Sequence, residues 1–425
     1  MPETDIADLL ALAARHYRPD AAGALAQVRT RAARGRRRRT RSLASAVVVL
    51  AAVVVGATVT VLGSSMAPSG PSSSVLLPPT SELAAASETS NGLVDLTFSS
   101  SGKGLGLERR CAVVPTADTV CSLAVVRTSD GGRDWRPAGR ALHVRYPHSR
   151  ASYPFIDFAT NGQDAWIYGS ETFVSRDGGR SFTRDDPGGI VSDLSIVGNE
   201  TWALRRPCPP AVPGCVSRII TVPSAGGRWS PQRSAPELSY PYLQLLRPSG
   251  TAAFLAAEAT DGTVEATDDG GASWTYHLLP PLCGELDHLA ATSPRQVWAL
   301  CTASAPAEAQ AKQLYRSSDA GGRWTLVATT GPGAGGAVGS LPVAGVVTGL
   351  TAPAPGYIWI VLDHGPVLAS DDGGRTWTEQ SLPGGAEVDE LTFTDARHGW
   401  ALVAPGATLD RTSDGGRTWD EVGPR

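Results

Sequence analysis

The chain has 425 residues, enough for one large domain or two to three ordinary ones. Its 42% hydrophobic and 18% charged residues describe a globular protein and exclude a disordered one. The net charge of −4 hides a split: ten arginines against Glu3, Asp5, Asp8 and Asp20 leave residues 1–42 at +6 and the remainder at −10, and an acidic body argues against nucleic acid as a partner.

Residues 1–42 read as a basic cytoplasmic leader. Ile6, Leu9, Leu10, Ala13 and Tyr17 recur at helical spacing and predict a short amphipathic helix, able to dock a cytoplasmic partner or lie on the membrane surface. Residues 43–63, "LASAVVVLAAVVVGATVTVLG", hold no charge, and 21 residues are enough to cross a hydrocarbon core of about 30 Å. "RTRAARGRRRRTR" precedes them, so the positive-inside rule places the N-terminus in the cytoplasm and the rest outside the cytoplasmic membrane. A cleaved signal peptide is the alternative. The long leader, the length of the apolar run and the lack of a clear cleavage site favour an uncleaved, single-pass signal anchor. Residues 64–92, rich in Ser, Pro and Gly, read as an extended tether.

All six cysteines follow the apolar run, at Cys111, Cys121, Cys208, Cys215, Cys283 and Cys301. An even count in an oxidising compartment points to disulfides. Cys111–Cys121 and Cys208–Cys215 would close short loops, with Cys283–Cys301 as the pair left over. Zinc is the competing reading, but no CxxC and no histidine at ligand spacing supports it. No metal and no cofactor is expected.

From residue 93 to 425 one phrase recurs: "RTSDGGRDW" (127–135), "VSRDGGRSF" (174–182), "TVPSAGGRW" (221–229), "ATDDGGASW" (266–274), "RSSDAGGRW" (316–324), "ASDDGGRTW" (369–377) and "RTSDGGRTW" (411–419). The closing aromatics are Trp135, Phe182, Trp229, Trp274, Trp324, Trp377 and Trp419, spaced by 47, 47, 45, 50, 53 and 42 residues. That period indicates propeller blades. Upstream of the boxes stand Trp166, Trp202, Trp298, Trp359 and Trp400, with Leu105 and Phe254 in the other two repeats. These and the box tryptophans account for all 11 Trp, a packing signature. Each unit divides into four short strands, as in "ELTFTD", "GWALVA", "ATLDRTS" and "TWDEV" of the last. The expected fold is therefore all-β: a seven-bladed propeller of four-stranded blades, monomeric.

The phrase Ser/Thr-x-Asp-x-Gly-x-x-Trp, complete in "SDDGGRTW" (370–377), resembles the Asp-box of bacterial neuraminidase-type (BNR) repeats. Such repeats occur in sialidases, sortilin-like receptors and photosystem assembly factors. The resemblance covers the whole region after the tether and implies fold more than function, because the box decorates propellers with unrelated activities. Gly132, Gly179, Gly226, Gly271, Gly321, Gly374 and Gly416, three before the aromatic in every copy, supply the positive φ of a tight hairpin. Asp130, Asp177, Asp269, Asp319, Asp372 and Asp414 are expected to accept turn amides, and the hydroxyl two residues earlier to assist. The third copy has Val222 and Ser224 at these positions. A peripheral cation site at the "DDGG" copies is the alternative to a structural role.

A sialidase-like pocket would need an arginine triad, a Tyr–Glu pair and an acidic residue. No Arg-Ile-Pro motif is present, since "SRIITVP" (217–223) lacks the proline after Arg-Ile, and sialidase propellers have six blades. Arg145, Arg150, Arg205, Arg206 and Arg247 are the arginines that could converge. No catalytic residue is assigned. Recognition is expected instead, on the face opposite the boxes, where long or cysteine-bearing segments gather. Arg145, Tyr146, His148, Tyr153, Tyr240 and Tyr242 form an aromatic-basic set suited to an acidic glycan or a protein; packing between blades is the alternative. The expectation is a membrane-anchored, non-catalytic propeller that binds or scaffolds an envelope protein or glycan. A sialidase-like exo-glycosidase is second, and an assembly or sensory role relayed through the leader third.

Overall fold

The computed structural model describes residues 87–423, apart from segments 100–101, 114–118, 147–155, 209–214, 239–242, 258–261, 305–308, 332–337, 364, 384–386 and 404–407. The leader, the apolar segment 43–63 and most of the tether lie outside the described residues. Among the described residues no helix is long and apolar enough to cross a membrane.

Runs of β-branched and aromatic residues broken by Gly, Asp and Pro fold, repeat by repeat, into antiparallel sheets. Blade 1 holds β1 (Ser87–Phe98), β2 (Gly104–Val113), β3 (Thr119–Thr128), β4 (Arg136–Pro137) and β5 (Leu142–Tyr146). The last two pair successive stretches of β3 and make one interrupted outer strand. β1 starts at Ser87, inside the stretch expected as tether, because β2 runs on to Val113 and gives Ser87 a partner. Blade 2 holds β6 (Ile156–Thr160), β7 (Ala165–Gly169), β8 (Thr172–Ser175) and β9 (Thr183–Asp185). Blade 3 has β10 (Ile190–Val197), β11 (Glu200–Arg206), β12 (Arg218–Pro223) and β13 (Ser230–Pro231). Blade 4 has β14 (Leu243–Leu246), β15 (Ala253–Ala257), β16 (Thr263–Thr267) and β17 (Thr275–Leu278).

Blade 5 has β18 (Glu285–Ala291), β19 (Val297–Ser304), β20 (Gln310–Ser317) and β21 (Thr325–Thr330), plus a fifth strand, β22 (Gly339–Leu341), parallel to β21. The sequence divides each unit into four strands, so β22 is an addition to the expected blade. Blade 6 has β23 (Val346–Ala354), β24 (Tyr357–Asp363), β25 (Val367–Ser370) and β26 (Thr378–Gln380). Blade 7 has β27 (Val388–Phe393), β28 (Gly399–Val403), β29 (Thr408–Thr412) and β30 (Asp420–Gly423). The innermost strands β1, β6, β10, β14, β18, β23 and β27 neighbour one another in that order, and β27 meets β1. The ring closes on seven blades. Among the described strands, no blade borrows a strand from another.

The core lies between blades, as one hydrophobic cluster at each of the seven interfaces. In blades 2 and 7 the second strand is buried along its whole length, which is why it reads as an unbroken apolar run. The second-strand aromatic meets the box aromatic of the following blade. Trp166 lies 5.2 Å from Trp229, Trp202 6.3 Å from Trp274 and Trp359 6.0 Å from Trp419, between ring centroids. Trp298 shares a cluster with Trp377, Phe254 with Trp324, and Trp400 with Trp135. At the interface of blades 1 and 2, Leu105 meets Phe182, so the two smaller residues coincide. The tryptophan inventory is a list of blade interfaces.

Candidate functional site

The box turns join third to fourth strands on one face of the ring. In six copies the hydroxyl of Thr128, Ser175, Thr267, Ser317, Ser370 or Thr412 donates to the aspartate Oδ1 at 2.7–2.9 Å. The same oxygen of the hydroxyl accepts the N–H of Gly132, Gly179, Gly271, Gly321, Gly374 or Gly416 at 2.8–3.0 Å. Oδ1 also accepts the amide four residues on, from Asp134, Ser181, Ser273, Arg323, Thr376 or Thr418, at 2.8–3.1 Å. In four copies a hydroxyl of Ser181, Ser273, Thr376 or Thr418 reaches Oδ2 at 2.6–2.7 Å. The carboxylates of Asp130, Asp177, Asp269, Asp319, Asp372 and Asp414 are thus turned into their own hairpins.

Hydrogen bonds to the charged form lower a carboxyl pKa. The hydroxyls of Ser181 and Ser175 hold Asp177 well below the usual carboxylate range. The Ser273 hydroxyl, its amide and the Thr267 hydroxyl hold Asp269 at about 2. At Asp414 burial pulls upward, but the hydrogen bonds from Thr418 and Thr412 outweigh it and hold the group at about 2. The third copy solves the corner without a carboxylate. Its Gly226 N–H donates to the Pro223 carbonyl at 2.9 Å, and Trp229 donates to Asp185 of blade 2 at 2.6 Å. All seven box turns are also tied to the first hairpin of their own blade, for example Gly131 N–H to the Gly102 carbonyl at 3.0 Å and Gly415 N–H to the Arg397 carbonyl at 2.9 Å.

The opposite face carries the connections between second and third strands and between blades. Cys111–Cys121, Cys208–Cys215 and Cys283–Cys301 are all bonded, and every pair ties strand ends or connections on this side. Arg145 and Tyr146 belong to β5, their side chains outside the description, and His148, Tyr153, Tyr240 and Tyr242 lie outside the described residues. Among the candidate arginines, Arg247 follows β14 toward the box face. Its guanidinium lies 4.1 Å from the Trp202 ring centroid and donates to the Glu200 carbonyl at 3.2 Å, which makes it an interface residue. Arg205 donates to the Gly188 carbonyl at 3.2 Å, and Arg206 is buried at the other end of β11. The described arginines therefore do not converge on one pocket. Among the described residues, no three His, Cys, Asp or Glu side chains are grouped to hold a metal ion.

Sequence reading missed a polar latch on the innermost strands. Asp95 Oδ2 accepts the Phe158 N–H at 2.9 Å, Asp193 Oδ2 the Leu245 N–H at 2.8 Å, Gln244 Oε1 the Leu289 N–H at 2.7 Å and Glu390 Oε2 the Leu96 N–H at 3.1 Å. Each joins one blade to the next near the axis. The signal was available as an acidic or amide residue nine or ten positions before the second-strand aromatic, as in Asp193 to Trp202 and Glu390 to Trp400. Beside Glu390, Asp389 is exposed yet crowded by protein. Desolvation and the neighbouring Glu387 push its carboxyl up to about 6, against the pull of Arg109. A second missed feature is Lys312, fully buried, whose Nζ donates to the carbonyls of Gln310, Pro342, Val343 and Ala344 at 2.9–3.2 Å.

A solved structure shares this architecture. YCF48 bound to a D1 peptide superposes with a TM-score of 0.50 at 17% identity, covering 77% of this chain and 92% of that one. The likeness is one of fold. YCF48 from Cyanidioschyzon merolae gives 0.48 at 13% identity, covering 76% and 94%. The GH74 enzyme of Niastella koreensis gives 0.30 at 11%, covering 77% and 78%. No family model matches the sequence, and no curated protein matches it either.

Proposed function

We propose that this chain is a non-catalytic Asp-box propeller, held outside the cytoplasmic membrane by residues 43–63, that binds an envelope protein on the face opposite its boxes. The observation that carries the reading is the placement of all three disulfides on that face. Cross-linked connections on a rigid ring keep a recognition surface pre-organised, and disulfides fit an oxidising compartment. The box carboxylates are occupied within their own turns, which leaves them to the scaffold. YCF48, of like fold, binds a D1 peptide, which accords with a protein partner. The aromatic-basic set Arg145, Tyr146, His148, Tyr153, Tyr240 and Tyr242 is the proposed contact surface. The test is capture of a defined envelope protein by the full-length chain, repeated with Arg145→Glu and with the disulfides reduced. Stoichiometric capture by the unaltered chain without product, weakened in either altered form, supports the reading; undiminished capture by both altered forms removes the loop face from it.

Asp389 favours a second reading, a glycoside hydrolase. A carboxyl near 6 beside a second carboxyl, Glu387, suits a general acid at neutral pH. Release of sugar from a glycoside panel, abolished by Asp389→Asn, would establish this reading over the first. No release by the full-length chain would retire it.

A further inference from the structure

The outer edge of a sheet is a row of unpaired backbone groups, which proteins blunt with charge, proline or a cover. Six blades do so here. β4 and β13 end in Pro137 and Pro231, β9 holds Arg184, β26 holds Glu379 and β30 holds Glu421. In blade 5, β22 covers β21. Blade 4 is the exception. Its edge strand β17 reads Thr-Tyr-His-Leu and pairs only with β16 among the described strands.

Tyr276 is 62% exposed, Leu278 70% and Leu282, just beyond the strand, 71%. Tyr276 and Leu278 stand on one face of β17 by the alternation of strand side chains, whereas His277 turns the other way and packs beside Gly321 of blade 5. Leu282 is held in place. The Cys283 N–H donates to the Pro280 carbonyl at 2.8 Å, and Cys283 is bonded to Cys301 of β19. Apolar side chains fixed along an open strand edge are the two elements of strand-addition recognition: main-chain pairing for affinity, alternate side chains for selectivity.

We infer that β17 is a docking edge for a short, extended, apolar segment of a partner protein, which adds to blade 4 as a further strand. The chain itself shows how such an edge is covered. In blade 5, Gly339–Leu341 pairs with Ala328–Thr330 and leaves Leu341 only 2% exposed. A second copy of the chain suits the edge poorly, because three side chains fall far short of the roughly 800 Å² per partner that a stable homodimer buries. This edge is separate from the loop face, and the two surfaces can fail independently.

The test uses the full-length protein and a fluorescein-labelled heptapeptide of alternating leucine and threonine with terminal lysines, followed by fluorescence anisotropy. A control peptide carries the same side chains with alternate backbone amides N-methylated, which blocks strand pairing. Binding by the parent peptide, weakened at least tenfold by N-methylation and by Leu278→Arg, is the expected result, with gained hydrogen-exchange protection at 275–278. Tyr276→Lys provides a second variant should Leu278→Arg disturb folding. Equal binding of the two peptides, binding unaffected by both substitutions, or no binding overturns the inference. Arg145→Glu on the loop face leaves this peptide binding unchanged.

Discussion

Phe98 of β1 and Trp400 of β28 stack with ring centroids 3.6 Å apart and planes 4° from parallel. The pair closes the ring, since the first and last blades share no strand. Trp400 Nε1 also donates to the Gly131 carbonyl of the first box turn at 3.0 Å, and Glu390 accepts the Leu96 N–H. Closure is thus a side-chain interface of the same kind as the other six. Among the described residues no strand is shared across this seam and no disulfide spans it.

Trp400→Ala is expected to cost about 3–5 kcal/mol, the usual loss for a buried tryptophan, measured by urea denaturation of the full-length protein. Because Leu105 fills the equivalent place at the interface of blades 1 and 2 opposite Phe182, Leu105→Trp alone should overpack that interface and destabilise the chain. A neutral Leu105→Trp would contradict the size matching described above.

The box carboxylates make stability depend on acid. Asp177, Asp269 and Asp414 titrate below their ordinary value of 3.8 in the folded chain. Their contribution is therefore complete above about pH 4 and is lost as pH falls through the folded values, near 2 for Asp269 and Asp414. Tm should fall over that interval, and Asp414→Asn should flatten the fall. Asp389 acts with the opposite sign. With a folded value of about 6, it opposes folding increasingly as pH rises from about 4 to 6, so Asp389→Asn should raise Tm at pH 7 and leave it unchanged near pH 3.

Ala320 is the only non-glycine residue with positive φ among the described residues, at 62°. Its counterparts Gly131, Gly178, Gly270, Gly373 and Gly415 take the same region without a Cβ penalty. Ala320→Gly should stabilise blade 5 by about 1 kcal/mol, after the entropy lost to the more flexible unfolded chain. Chemical denaturation checks the sign.

Lys312→Met should destabilise by about 3 kcal/mol, because the carbonyls of Gln310, Pro342, Val343 and Ala344 would lose their shared donor. Burial holds its amine down at about 8, so the ammonium still predominates at pH 7. The expected signature is early hydrogen exchange in β22 and the segment that follows it.

The sequence carried the ring because its repeat is local. Glycine at the positive-φ corner, a hydroxyl and a carboxylate two residues apart, and an aromatic at fixed distance make one hairpin, and each hairpin forms from neighbouring residues. The same locality made the second-strand aromatics visible as a class, although not which box aromatic each would touch. That pairing joins residues of different repeats, as in Trp166 with Trp229. The burial of Lys312 left no mark in the sequence, because three of its four acceptors come from a connection folded back upon it. The free edge of β17 was equally hidden: a strand is an edge only by virtue of what does not pair with it. The candidate contact residues from Arg145 to Tyr242 were legible as residue types, but chain order alone does not bring them together.

What the amino-acid order determined by itself was the blade, its number and its corners, since those follow from backbone conformation and turn hydrogen bonds over a few residues. What only the tertiary structure decided was the latching of innermost strands, the closure through Phe98 and Trp400 and the edge that β17 leaves open among the described strands, since each depends on groups far apart in the chain meeting, or not meeting, in space.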